Sequence, residues 1–437
     1  MSRHTGRSDV KFDRMADHVL EEKGSAAAAP IVRCRYGECG TVTDRIPLPA
    51  AINMMSDWKA VVLRATSGGM DVEAIADLAT HLADSGKRLT ARDRRTADLA
   101  STGGPTSLST LLCPPMLVAA GWEVPKLGVA GRPAGGVDVL ACIDGYSVSL
   151  DEGDVEGVLK ACRYAHVDAG STFAPADAEL FAYRQSVGAQ AVPDLAIASL
   201  LSKKLAMAVY RVGLEVRVAA HGNFGATFTE ARAAASRFCD VGHALGLDPV
   251  CILTDASRPF QPYVGRGEAL LALTLVLDGA EDNWLAAHLV DCSAMAAIVG
   301  GEAVAAVPRT EIANAVAANV IAQGGSIQAL RRKAAEVARS HVHVVPAPAT
   351  GHVEYDLGAV RSAVLRAQGT VSARWPDAAG LMLRVRPGEL VTDGATLMTV
   401  RCPTTCWPAL REALAAAVRI GHSEASQLSA ILEVVGV

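Results

Sequence analysis

An α/β fold with a mainly parallel central sheet is predicted for this chain by three observations. Helix and strand patterns alternate between residues 100 and 300, which is typical of a parallel sheet covered by helices. Half of the 437 residues are apolar and only 20% are charged, which excludes a disordered chain and allows a large core. After about residue 340, short strand patterns alternate with turns, so we expect an α+β region at the C-terminal end.

Composition and charge exclude several classes of protein. The net charge of −5 and the pI of about 6.1 lack the basic character of a nucleic-acid-binding domain. The N-terminus is polar, and no apolar run approaches the ~18–20 residues of a membrane span. We therefore expect a cytoplasmic protein without nucleic-acid or membrane partners.

The ten cysteines are expected to be free thiols, because long intracellular chains seldom carry a disulfide framework. Two close pairs occur, Cys34 with Cys39 and Cys402 with Cys406. Neither has the four convergent ligands of a typical zinc site, so we predict no metal site.

Helices and strands follow from the spacing of apolar residues. Residues 72–85 predict a helix, because apolar side chains recur at i, i+3, i+4 and i+7. A second helix is predicted over 194–212, followed by strands over 214–219 and 250–254. Thr227 to Glu230 has the pattern of a capping box and should begin another helix.

In the C-terminal region, residues 341–345 alternate as in a strand. His341 and His343 would then point to one face of it. A final helix is predicted over 407–420.

The first glycine-rich turn, residues 101–107, lies between two periodic segments and precedes a helix. Backbone N–H groups in such a turn can bind an anion, and Ser101 and Ser107 could add hydroxyl donors. A plain tight turn is the alternative interpretation. A second glycine-rich turn follows at 131–136.

Ser199 and Lys203 are four residues apart in the second predicted helix, so they share one face. With Arg184 they would offer hydrogen-bond donors to the carbonyl oxygens of a small polar ring. The alternative is a solvated helix edge.

His221 follows a predicted strand, at a position where ligands usually bind in parallel sheets. It is therefore a candidate general acid or base, although a surface-loop histidine fits the pattern equally well.

Several of these segments together resemble the thymidine/pyrimidine-nucleoside phosphorylase family. The order and spacing of residues 171–206 are similar to the family's run "LAPADK…YALRD…ASILSKKLA". Weaker similarities lie at 76–89, 253–270 and 380–400.

The resemblance implies a domain arrangement with an active site in the cleft between a small helical domain and a large α/β domain. The small domain would comprise residues 46–95 and 176–210, and the α/β domain residues 96–175 and 211–335. A peripheral segment (1–45) would precede them, and a hammerhead-like α+β region (336–437) would follow.

The resemblance also implies a homodimer that cleaves pyrimidine nucleosides with phosphate, without another cofactor. Arg184, Ser199 and Lys203 fall on the positions that bind the pyrimidine, and we take Arg184, Lys203 and His221 as the catalytic candidates.

The phosphate loops depart from the family pattern. The Lys and His of the family's first loop are here Leu99 and Ala100, and a Ser and a Thr of the second loop are Ala130 and Val137. Removing such a lysine costs about 1.5–3 kcal/mol of anion binding. The remaining candidate phosphate ligands are Ser101, Thr102, Gly103, Gly104, Ser107 and Arg132.

These departures leave three hypotheses open. The chain could be a phosphorylase with a rebuilt phosphate loop, in which Arg132 or His221 replaces the lost cation. It could be a nucleoside hydrolase, or an enzyme that transfers the sugar to another acceptor. It could also be a nucleoside- or base-binding protein without catalytic activity.

Overall fold

The structure, a computed structural model, describes residues 57–90, 95–131, 135–369, 375–421 and 430–436. The predicted peripheral segment (1–45) and the Cys34/Cys39 pair lie outside these ranges. Among the described cysteines, Cys402 is a free thiol, as predicted.

The described residues form helices and strands in alternation. The helices are α1 (Trp58–Ser67), α2 (Val72–Asp84), α3 (Ser109–Ala119), α4 (Gly136–Leu140), α5 (Glu152–Cys162), α6 (Pro175–Ser186), α7 (Pro193–Ala206), α8 (Phe228–Ala244), α9 (Arg266–Asp278), α10 (Asn283–Gly300), α11 (Arg309–Ala322), α12 (Ile327–Arg339), α13 (Leu357–Gln368) and α14 (Trp407–Ala416). A short 3-10 helix, Glu302–Val304, follows α10. The strands are β1 (Ala97–Ser101), β2 (Val124–Gly128), β3 (Tyr164–Asp168), β4 (Arg211–Val218), β5 (Asp248–Asp255), β6 (Tyr263–Val264), β7 (His343–Pro346), β8 (Gly351–Tyr355), β9 (Gly380–Leu383), β10 (Leu390–Val391), β11 (Thr396–Arg401), β12 (Val418–Gly421) and β13 (Ile431–Val435).

The central sheet confirms the predicted α/β fold class. Strands β1, β4 and β5 pair in parallel, and β13 adds an antiparallel edge beside β5. Strands β2 and β3 form a second parallel pair, and an isolated bridge from Thr96 to Glu123 links it to the sheet. The carboxyl ends of five parallel strands therefore lie along one edge, where ligands bind in such folds.

Helices cover both faces of this sheet, because side chains alternate between the faces along each strand. Leu214 and Val216 of β4 pack into one core with helices α1, α2, α6, α7 and α8. Leu99 of β1 and Ile252 of β5 pack into a second core with α3 and α9 to α12.

The C-terminal region builds a third core from two antiparallel sheets and helices α13 and α14. It is tied to the α/β part by pairing of β6 with β9. A buried ion pair between Glu268 of α9 and Arg401 of β11 adds a second connection. Where these regions divide into domains stays a prediction.

One local prediction agrees with the structure, and two predicted helices end earlier than expected. The capping box at Thr227 and Glu230 is present. The helix predicted to reach residue 212 ends at Ala206, because Ala208 takes a left-handed conformation (φ 52°) before β4 begins. The final predicted helix ends at Ala416, and the chain then enters β12.

The two histidines predicted to share a strand face do not do so. His341 lies before β7, and its Nε2 is 3.1 Å from Glu268 Oε1. His343, the first residue of β7, stacks its ring on Trp407.

Helix α10 is long and apolar enough to cross a membrane by length and composition alone, a feature that the sequence reading did not single out. Its buried face, which includes Cys292 and Met295, packs in the same core as α3.

Candidate active site

A cavity of about 140 Å³ opens at the carboxyl ends of the parallel strands. Its walls come from the glycine turn after β1, the ends of β2 and β4, helices α6 and α7, and helix α13 of the C-terminal region. Arg184, Ser199 and Lys203 line this cavity together with Ser101 to Gly104. Side chains from distant parts of the chain therefore meet in one space.

Lys203 is a buried cation of the cavity with three partners. Its Nζ donates to the carbonyl of Ser199 (2.6 Å) and to Ser199 Oγ (3.0 Å), and it forms an ion pair with Asp177. Burial lowers the pKa of Lys203, and the Asp177 carboxylate opposes that shift. Ser199 Oγ accepts from Lys203 and so keeps its own proton for a ligand.

Arg184 is buried and bonded to the loop between α6 and α7 and to the first turn of α7. Nε donates to the carbonyl of Ala189 (3.2 Å), Nη1 to that of Leu195 (3.2 Å) and Nη2 to that of Gln190 (2.8 Å). Burial lowers its pKa to about 10, so it stays charged at neutral pH. A guanidinium has five N–H groups, and two therefore remain for a ligand.

Asp98 of β1 lies between two lysines behind the cavity wall. Lys126 of β2 donates to Asp98 Oδ1 (2.6 Å), and Lys204 of α7 forms an ion pair with Oδ2. Burial alone would raise the pKa of Asp98, but the two lysines outweigh it and lower the pKa to about 2. This triad joins the strand side of the cavity to its helix side.

The first glycine turn lines the cavity and is bonded to β4. Thr102 Oγ1 accepts the backbone N–H of Arg217 (3.0 Å), and the Thr102 carbonyl accepts Asn223 Nδ2 (2.8 Å). Gly103 has a φ of 94°, in the region that favours glycine. The turn therefore places backbone groups and the Thr102 hydroxyl at the cavity.

Two arginines that the sequence reading did not select also line the cavity, Arg217 of β4 and Arg361 of α13. Arg217 Nη2 donates to Glu215 Oε2 (3.0 Å), and Nη1 donates to the carbonyl of Gly104 (3.3 Å). These two arginines bring positive charge to the side of the cavity formed by the first glycine turn, where Leu99 and Ala100 replace the Lys and His of the family's loop.

Comparison with known proteins gives consistent relatives. Thymidine phosphorylases from Mycobacterium tuberculosis and Burkholderia orbicola are 31% and 30% identical over 344 and 319 residues. These matches cover 76% and 69% of this chain, and 79% and 72% of the relatives. The chain belongs to the thymidine/pyrimidine-nucleoside phosphorylase family.

Other comparisons are less extensive. The match to the thymidine phosphorylase of Agrobacterium fabrum, 30% identical over 250 residues, covers 54% of this chain and spans only 57% of that protein. A solved anthranilate phosphoribosyltransferase from Thermus thermophilus aligns with 64% of this chain and 93% of its own, at 17% identity and a TM-score of 0.48. No protein-family profile matches the chain.

In this member of the phosphorylase family, the departures from the phosphate loops have visible structural consequences. Leu99 packs into the core on the other side of the sheet, whereas Ala100 and Val137 line the cavity with small or apolar side chains. Ser107 does not reach the cavity, because its Oγ is buried 3.2 Å from Glu215 Oε2. Arg132 lies outside the described residues.

His221, the candidate acid or base, is not among the residues that line the cavity. It packs against α13. A β-carbon added at Gly358 of that helix would lie 3.3 Å from the Cβ of His221. Burial lowers its pKa, and the charges of Arg361 and Arg217 lower it further. The imidazole is therefore neutral near pH 7, and its catalytic role stays a prediction.

His166 of β3 is a cavity residue that sequence reasoning missed. Its Nδ1 lies 2.9 Å from the Tyr164 hydroxyl, and burial lowers its pKa to about 3. It therefore presents a neutral ring. No group of three or more potential metal ligands converges within the described ranges.

Arg217 could have been found from the strand motif that contains it, because strand alternation would place it on the same face as Glu215. Arg361 carries no such signal. It is brought to the cavity only by the docking of the C-terminal region.

Proposed function

We propose that this protein cleaves the N-glycosidic bond of a pyrimidine nucleoside with phosphate, giving the base and a (deoxy)ribose 1-phosphate. The observation that carries this proposal is the meeting of Arg184, Ser199 and Lys203 with the first glycine turn in one cavity. The relatives named as thymidine and pyrimidine-nucleoside phosphorylases support the same reaction.

On the base side, the donors would bind the pyrimidine carbonyls and ring nitrogen. Arg184 has two free N–H groups for this, and Ser199 has its hydroxyl proton. The three ammonium protons of Lys203 are directed at Asp177 and Ser199. To bind a ligand, Lys203 would therefore exchange one of its hydrogen bonds to Ser199 for a hydrogen bond to the ligand.

These donors matter most as the bond to the sugar breaks. The electron pair of the C–N bond passes to the ring nitrogen, and the base leaves with negative charge. Donors already oriented toward that charge stabilise the transition state more than the neutral nucleoside. A phosphate oxygen then forms the new bond to the anomeric carbon.

The expected homodimer, the cytoplasmic location and the need for no organic cofactor belong to this proposal. They derive from the family resemblance and from composition.

The test is a panel of pyrimidine nucleosides incubated with and without phosphate, with released base measured by chromatography. We expect release only with phosphate, and a loss of about 10²–10³-fold in rate for Lys203→Met, as for removal of one transition-state donor. A matched control is Lys160→Met on the exposed face of α5, which should retain the wild-type rate.

Two outcomes would contradict the proposal. Release without phosphate would identify a hydrolase or another sugar acceptor. Nucleoside binding without release in either condition would identify a binding protein.

A further inference from the structure

Arg361 brings a positive charge into the cavity from the C-terminal region. Its neighbours on α13, Val360 and Val364, are buried in the C-terminal core, whereas Arg361 lines the cavity. Its Nε is buried and has no hydrogen-bond partner among the described residues. A cation that is partly buried in this way is costly unless an anion is near.

Arg217 increases rather than relieves this cost. It is 2% exposed, and its Nε is likewise buried without a partner in the described part of the chain. Burial lowers the pKa of Arg361, and the charge of Arg217 lowers it further. Both arginines line the same cavity, so their like charges disfavour each other there.

The nearby carboxylate does not balance both charges. Glu215 is bonded to Arg217 Nη2 and also to the Ser107 and Ser109 hydroxyls. Among the described residues, no ion pair joins Arg361 to an acid. The cavity lining that the structure describes includes no Asp or Glu side chain.

We propose that Arg217 and Arg361 bind a phosphate dianion beside Gly103 and Gly104, so that the C-terminal region supplies the charge that the family's loop lysine supplies elsewhere. Guanidinium groups match phosphate oxygens in pairs and hold their charge at any physiological pH. This inference rests on the proposed function only in treating the anion as the reaction's co-substrate.

The glycine turn fits this role. A β-carbon at Gly104 would lie 3.0 Å from Arg217 Nη1, and Gly104 has a φ of 156°. A larger residue would therefore push the guanidinium away from the turn. The Thr102 hydroxyl, which accepts from the Arg217 backbone, keeps its proton for an anion oxygen.

The site would accept phosphate either as the free ion or as the ester group of a sugar 1-phosphate. Calorimetry with inorganic phosphate and, separately, with ribose 1-phosphate distinguishes these two sources. Both titrations are made on the full chain at constant ionic strength and without nucleoside.

We expect Arg361→Met to weaken binding of inorganic phosphate by about 10- to 100-fold, the loss for one charge-assisted contact. Methionine keeps the apolar stem of the side chain, and thermal melting checks that the variant is folded. Arg366→Met, an exposed position on the same helix, should bind like the wild type. Arg361→Lys, which keeps the charge, should recover part of the affinity.

Unchanged phosphate affinity in folded Arg361→Met overturns the proposal, as does a wild-type chain that binds neither phosphate source. Binding of the ester alone, lost in Arg361→Met, keeps the anion site and assigns it to the sugar phosphate. Phosphate binding through Arg361 without nucleoside cleavage would refute the proposed function and leave the site standing. Phosphorolysis by Arg361→Met with an unchanged phosphate KM would support the proposed function and refute the anion site at Arg361.

Discussion

The two sides of the cavity treat their positive charges differently. On the base side, Lys203 is paired with Asp177, and Arg184 donates to three backbone carbonyls. On the glycine-turn side, Arg217 shares Glu215 with two serines, and Arg361 forms no ion pair within the described residues.

This difference is what the two proposed ligands would require. A pyrimidine in its ground state is neutral and brings no counter-charge, so the protein must balance the cations that face it. A phosphate dianion brings its own charge, and a site for it is favoured by cations that the protein leaves unbalanced. The difference in charge balance therefore supports the proposal that the two sides bind different ligands, and it does so independently of their motifs.

The largest effect is expected where the two sides meet, at Asp98. Asp98→Ala leaves Lys126 and Lys204 buried without their shared carboxylate, and removal of one partner from a buried ion pair costs about 3–5 kcal/mol. We expect a loss of this size in the free energy of unfolding, measured with urea. Asp77→Ala, at an exposed position on α2, serves as the control, and equal stability of the two variants would show that the triad does not support the fold.

The same triad predicts a dependence of stability on pH. The folded pKa of Asp98 is lowered to about 2, whereas an unfolded aspartate titrates near 3.9. The stabilisation by ionised Asp98 is therefore fully present above about pH 4 and is lost as the pH falls toward 2. The stability difference between the wild type and Asp98→Ala should shrink over this window, and a constant difference down to pH 2 would contradict the assignment.

A smaller effect is expected at Arg184, and it tests whether the two sides bind separately. Arg184→Ala should weaken the binding of uracil or thymine at least about tenfold, because a charge-assisted contact is lost. Calorimetry should show phosphate affinity near the wild-type value. Glu179→Ala, an exposed change on α6, should alter neither affinity.

Unchanged uracil affinity in Arg184→Ala would remove Arg184 from the base side. The change also leaves three backbone carbonyls without the Arg184 donor, so the melting temperature of each variant must accompany the titration.

The smallest effect is expected at His221. It is not among the described residues that line the cavity, so no described contact brings its imidazole to a ligand there. His221→Gln should change kcat by less than about threefold, whereas loss of a general acid or base costs about 10²–10⁴-fold. A fall of the larger size would establish His221 as a catalytic residue despite its position.

Much of the base side could be predicted from the sequence, and little of the anion side. Ser199 and Lys203 were placed on one helix face by their spacing, and the hydrogen bond between them follows from that spacing. The glycine turn was recognised, but Ser107 was assigned to it as a ligand and instead bonds within the protein beside Glu215. Sequence order alone does not distinguish which side of a turn a hydroxyl faces.

The fold class and the main helices and strands follow from the sequence, because each depends on periodicity along one segment, and spacing also puts Ser199 and Lys203 on one helix face. The tertiary structure alone decided that Lys126 and Lys204 share Asp98, and that Arg361 reaches the same cavity as Arg217. Lys204 and Asp98 are 106 residues apart, and no local pattern links them. Such contacts arise when separate layers pack, since only packing forces distant charges into a common volume of low polarity.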